Sequence, residues 1–125
     1  MILDTNALSA LCEGEGVLQP DLPQHAVLTI PVIVLGEFEF GIRRSRLRGR
    51  YEQWLKTNLP IFDVLGVGRE TARLYADIRS ELKAIGKPIP SNDIWIAALA
   101  REYGLPIVTR DGHFRFVRGI QTVKW

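Results

Sequence analysis

A single cysteine, Cys12, and two histidines, His25 and His113, are the only thiol and imidazole groups among 125 residues. One thiol cannot close an internal disulfide, and so few groups cannot assemble a Cys/His zinc set. A metal, if one binds, is therefore expected on oxygen ligands. Cys12 falls within the apolar helical run Ala7, Leu8, Ala10 and Leu11 and reads as a buried thiol without a chemical role. Long hydrophobic runs are also missing: nothing approaches the ~18 apolar residues that cross a bilayer. The opening Met1-Ile2-Leu3-Asp4-Thr5-Asn6 has neither a basic leader nor an apolar core, so the sequence predicts no signal peptide and a cytoplasmic location. Repeats and low-complexity tracts are absent.

What is present suits one compact domain spanning 1–125, with 46% hydrophobic and 24% charged residues. The formal net charge of +2 says little, but its distribution says more: Arg43, Arg44, Arg46, Arg48 and Arg50 place five guanidiniums within eight residues. Such a field attracts phosphate backbones, although a solvated helix face or an interface to an acidic protein has the same composition.

The hydrophobic pattern alternates strands with helices. Residues 1–4 read as a short strand ending on an acid, followed by a helix from Thr5 to Cys12. Glu13 to Gln24, with two glycines and two prolines, reads as a loop, and Ala26 to Ile30 as a β-branched second strand. Pro31 is expected to be the first residue of a helix running through Val32 to Arg43. Leu47, Tyr51, Trp54 and Leu55 define another from Arg46 to Leu59, stopped by Pro60. Ile61 to Leu65 is a third predicted strand, and Leu74, Ile78, Leu82 and Ile85 form the stripe of a long helix beginning near Arg69 and closed by Gly86. Ser91 is the expected N-cap of a helix ending at Tyr103, with Gly104 left-handed behind it. Strands at 106–109 and 120–123 complete the series. With no tight hairpin signal, the order predicts an α/β fold with a mainly parallel sheet of four to five strands.

Ligands of open parallel sheets sit beyond the carboxyl ends of the strands, and three acids map there. Asp4 follows the first strand, Asp111 follows the fourth, and Asp93 lies in the first turn of the helix beginning at Ser91. Each has an ordinary alternative: helix cap, first-turn acid favoured by the helix dipole, or turn residue. A fourth acid comes from Glu37 or Glu39, which are about 200° apart around a helix, so only one faces the site. Periodicity does not choose between them.

Taken together, Asp4-Thr5-Asn6 after an apolar start, Glu37-Phe38-x-x-Gly41, Asn92-Asp93-x-Trp95-Ile96-Ala97-Ala98 and Thr109-Arg110-Asp111-x-His113-Phe114 resemble the PIN-domain nucleases, and among them the VapC-type toxins of bacterial toxin–antitoxin pairs. The resemblance covers essentially the whole chain. It implies a PIN-like three-layer α/β/α fold, and its spacing of acid to glycine selects Glu37 over Glu39. It further implies that Asp4, Glu37, Asp93 and Asp111 are metal-binding and catalytic acids, supported by Thr5 and Asn6. The implied cofactor is Mg²⁺ or Mn²⁺, and the implied activity is endoribonuclease hydrolysis by an activated water, acting as a growth-inhibiting toxin. Implied partners are RNA, held by the arginine run, a VapB-type antitoxin, and a second copy in a homodimer. One departure is that Asp111 is followed by Gly112 and His113, where many relatives carry a further acid or an asparagine; His113 either contacts substrate or has a packing or interface role.

Electrostatics agrees with a cation at such a site. Four carboxylates about 6 Å apart at an effective dielectric of 20 repel by roughly 2–3 kcal/mol per pair. That demands raised pKa values or a bound divalent ion, and magnesium and manganese both suit hydrated oxygen sites. Two enzymatic or signalling rivals fit less well. A haloacid-dehalogenase-like phosphatase needs a second Asp where this chain has Asn6, and a phosphoacceptor domain needs an adjacent acidic pair. The alternative from another class is a non-catalytic RNA-binding or scaffolding PIN-like module.

Overall fold

The computed structural model describes residues 1–15 and 26–125. They form a five-stranded parallel sheet: β1 (Ile2–Leu3), β2 (Thr29–Pro31), β3 (Asp63–Leu65), β4 (Ile107–Val108) and β5 (Thr122–Val123), in the spatial order β3-β2-β1-β4-β5. Five helices connect them: α1 (Thr5–Cys12), α2 (Val32–Arg43), α3 (Arg48–Asn58), α4 (Arg69–Ala84) and α5 (Ser91–Tyr103). The chain first steps outward from β1 through β2 to β3, using α1 and then α2 and α3 as crossovers. It then returns through α4 and α5 to β4 on the opposite side of β1. Right-handed crossovers in opposite directions along a sheet place their helices on opposite faces, giving the three-layer α/β/α arrangement. The reversal falls between β1 and β4.

A parallel sheet covered on both faces buries its central strands completely. Ile2, Leu3, Ile30, Ile107 and Val108 are all fully buried. The middle of helix α5 is buried nearly all round through Ile94, Ile96, Ala97, Ala98, Leu99 and Ala100, as its apolar run from Ile94 to Ala100 requires. It packs against α4, whose single apolar stripe buries Leu74, Ile78 and Leu82. Tyr75 and Trp95 stack between these two helices with ring centroids 4.1 Å apart. Cys12 is a buried free thiol, as the sequence suggests.

Several expected boundaries shift, each for a local reason. Pro31 ends β2 in register with Leu65 and caps α2 with an extended ψ of 144°, so the helix starts one residue later. The ring fixes φ near the value shared by extended and helical backbone, and a residue with no N–H to donate suits either position. Pro90 likewise takes the cap position predicted for Ser91, with ψ 144°, and Ser91 is the first helical residue. The third helix begins at Arg48 rather than Arg46, because the Ser45 hydroxyl accepts the Leu47 N–H (3.0 Å) and holds Arg46 in a turn. Pro60 forms a 3-10 turn at Leu59–Ile61, which shortens the third strand to its last three residues. Residues 26–28 precede β2 rather than belonging to it. From residue 16 onward, the loop predicted for Glu13–Gln24 lies outside the described residues. Gly104 does adopt the left-handed conformation expected of it (φ 64°), and Gly86 does so after α4 (φ 66°).

Candidate active site

The strand reversal opens a crevice at the carboxyl ends of β1 and β4, the place where open α/β sheets bind ligands. A cleft of about 330 Å³ lies there, lined by Asp4, Thr5, Asn6, Glu37, Pro90, Asn92, Asp93, Asp111 and His113. All four predicted acids line it, although they come from four separate parts of the chain.

Asp4 follows β1 directly and caps α1: its Oδ1 accepts the Ala7 N–H at 2.7 Å. Its Oδ2 accepts a short hydrogen bond from the Thr109 hydroxyl. The partner is set by strand register, since Leu3 pairs with Val108 and the next residue on each strand therefore lies side by side. Thr109 is buried at 2% exposure and also accepts the Asp111 N–H at 2.9 Å, so one hydroxyl orients two acids. The motif Thr109-Arg110-Asp111 contains this residue, but its orienting part follows only from the register of β1 against β4.

Asp111 caps the 3-10 segment Gly112–Phe116, its Oδ1 accepting the His113 N–H at 2.8 Å. The His113 ring turns back over the acids, with Nδ1 3.1 Å from Asp111 Oδ1 and 3.2 Å from Asp93 Oδ2. Asp93 reaches the cleft from the first turn of α5. On α2, Glu37 accepts the Thr5 hydroxyl at 2.7 Å, while Glu39 turns away to pair with Arg43 at 3.6 Å. Asn6 is exposed at the rim.

Burial raises the Asp4 carboxyl above its ordinary range. The hydrogen bonds from Thr109 and Ala7 oppose the rise, and the charge of Asp111 adds to it. Asp93 is raised by burial too, with the His113 hydrogen bond opposing and Asp111 and Glu37 adding. The crowding of negative charge is thus felt within the site. Asp93, Asp111 and His113 each offer one ligand atom, and all three atoms lie within 4.8 Å of one another. Carboxylate oxygens with one imidazole nitrogen at this spacing are a donor set that fits a divalent first-row cation or magnesium.

The predicted arginines are exposed and lie outside this cleft. Arg43 pairs with Glu39 and Arg48 with Glu52 at 2.6 Å, while Arg44 lies over the Phe40 ring. Arg46 and Arg50 make no ion pair among the described residues. A second cavity of about 220 Å³ shares Thr5 and Glu37 with the acidic cleft and extends past Phe38 and Ile42 to Ser45 and Tyr51. It leads from the acids toward the arginine segment.

A doubly wound α/β unit with an acid-lined cleft at its strand reversal is the architecture of a PIN domain. The PIN domain family profile matches residues 1–120, and the chain belongs to that family. Within it, Ribonuclease VapC5 of Mycobacterium tuberculosis is 30% identical over 98% of this chain and 91% of its own length. The tRNA(fMet)-specific endonuclease VapC of Shigella flexneri is 31% identical over 78% of this chain and 75% of its own. Among solved structures, DNA-bound VapBC from Salmonella typhimurium superposes with a TM-score of 0.88 at 25% identity, covering 99% of this chain and 96% of the other. Among the described residues, no helix is long and apolar enough to cross a membrane.

Proposed function

We propose that this chain is a divalent-cation-dependent endoribonuclease, the toxin of a type II toxin–antitoxin pair, which cleaves RNA and so arrests translation and growth. One observation carries the reading: Asp4, Glu37, Asp93 and Asp111, widely separated in sequence, line a single cleft at the carboxyl edge of the sheet. Ribonuclease and endonuclease are the names of relatives about 30% identical to it, and a VapBC complex is among the structures it matches.

In this reading Asp4, Asp93 and Asp111 hold the cation, Mg²⁺ or Mn²⁺, with Glu37 beside them and Thr5 and Asn6 as supporting groups. A bound divalent ion supplies a water of lowered pKa and neutralises charge on the phosphate. The protein's own contribution is to fix the ligands beforehand. Asp4 has both oxygens tied, one to a backbone N–H and one to Thr109, so its remaining lone pairs have set directions. Glu37 has Oε2 tied to the Thr5 hydroxyl, leaving Oε1 to accept a proton from the attacking water. Holding the groups in place before substrate arrives removes reorganisation from the barrier.

Arg43, Arg44, Arg46, Arg48 and Arg50 hold the RNA backbone beyond the second cavity, positioning the strand without reading bases. A VapB-type antitoxin is the cognate partner. The working form is a cytoplasmic homodimer of single-domain subunits. The alternative of a non-catalytic RNA-binding module predicts binding without cleavage. Incubating the purified, antitoxin-free chain with total RNA, with Mg²⁺, with Mn²⁺ or with chelator, and mapping new ends decides between the two. Discrete cation-dependent cuts are expected; RNA retained intact under all three conditions removes the nuclease assignment.

A further inference from the structure

His113 hydrogen-bonds Asp93 in this cleft, yet an all-oxygen ligand set gives its ring no part in holding a cation. His113 has a 47% exposed side chain, so its ring contributes little to packing; the neighbouring Phe114, at 1%, does that work. The two acids beside the ring are much less exposed, Asp93 at 18% and Asp111 at 27%, so the imidazole faces the groups that line the cleft. The local backbone aims it there. Asp111 Oδ1 captures the His113 N–H as the 3-10 segment starts, and the side chain is thereby carried back over the cleft rather than out to solvent.

We infer that His113 is a metal ligand through Nδ1, completing a mixed nitrogen–oxygen set with Asp93 and Asp111 and biasing the site toward Mn²⁺ over Mg²⁺. The inference rests on the cation-dependent reading above and adds a ligand that the all-oxygen expectation leaves out. Its basis is the spacing. Nδ1 lies 3.1 and 3.2 Å from the two carboxylate oxygens. Adjacent ligands of an octahedral cation with bonds of ~2.1 Å are separated by roughly 3 Å, so these are the separations that one ion would impose. The chemistry then sets the preference. Magnesium favours oxygen and retains its waters, whereas imidazole suits the first-row transition metals. Replacing an oxygen donor by a ring nitrogen therefore costs Mg²⁺ more than Mn²⁺. Because the 3-10 segment is held by the backbone N–H of residue 113, His113→Asn keeps that hydrogen bond and removes only the ring.

The test is pulsed EPR on the full chain loaded with Mn²⁺ alone, together with calorimetric titration of Mn²⁺ and Mg²⁺, for wild type and His113→Asn. We expect ¹⁴N hyperfine coupling from a directly bound nitrogen in wild type and its disappearance in the variant. We also expect Mn²⁺ affinity to fall by at least the ~10-fold that even outer-shell partners of a metal are worth, and Mg²⁺ affinity to fall by less. Bound Mn²⁺ without nitrogen coupling in wild type, or coupling that persists in His113→Asn, overturns the role of His113 and leaves the nuclease reading intact. Failure of wild type to bind either ion overturns both.

Discussion

Asp4 combines two tasks that ordinarily fall to different residues: directly after β1 it caps a helix and lines the cleft. Because burial raises its carboxyl above the unfolded value of about 4, folding favours the protonated form. The stability this group contributes is therefore complete below pH ~4 and is lost as pH rises through the folded pKa. Asp93 adds a slope of the same sign. Asp4→Asn keeps an oxygen for the Ala7 N–H and removes the buried charge. Without cation at neutral pH it should melt at the wild-type temperature or above, and its melting temperature should depend less on pH between 4 and 7, as calorimetry across pH would show. Its RNA cleavage should fall by more than the ~100-fold that marks the upper range for a metal's outer-shell partners. A variant that is cation-free, stable and fully active would refute the role given to Asp4. The convergence of Asp4, Asp93 and Asp111 was legible in the sequence because each sits at a strand end or in a first helical turn. Glu37 was separable from Glu39 only through resemblance, since both are flanked by apolar residues on a helix that buries Val34, Phe38 and Ile42. Thr109 was not legible as an orienting group, because its task depends on the register of β1 against β4, a long-range fact no local pattern carries.

At the scale of elements, the alternation of strands and helices could be read directly, and three of the displaced boundaries fall at prolines. Pro31 reads as a first helical residue and Pro60 as a helix stop, yet Pro31 serves as an extended cap, as Pro90 does before α5, and Pro60 forms a 3-10 turn. A fixed φ restricts the backbone without choosing ψ, which the tertiary fold supplies. Pairing of α4 with α5 matters most to the site, because α5 delivers Asp93. Beside the Tyr75–Trp95 stack, these helices are joined by fully buried Thr71, whose hydroxyl donates to Glu102 at 2.5 Å and accepts the Gly68 N–H at 3.0 Å as α4 begins. Thr71→Val preserves shape and strips both bonds. Leaving such groups unpaired should cost ~1–3 kcal/mol in chemical denaturation. Cleavage per folded molecule should stay within two-fold or so of wild type. A loss of activity exceeding the loss of folded protein would mean that α4 acts on the site more directly than through α5.

For the whole molecule, a parallel sheet whose strand order reverses next to its central strand creates a crevice, and the sequence fills that crevice with negative charge while the net charge of the chain is +2. Such a concentration is costly for a fold whose total stability is ~5–15 kcal/mol, and a bound divalent ion relieves it. In the proposed function the same ion would give the cleft its affinity for a phosphate, so that stability and activity would depend on one binding event. The most direct measurement is an anomalous difference map from crystals of the antitoxin-free chain soaked in Mn²⁺. The account predicts a strong peak within coordinating distance of Asp93 and Asp111, with Asp4 bound to it directly or through one water. A fully soaked crystal with no peak in this cleft, or with manganese only elsewhere on the surface, would contradict it.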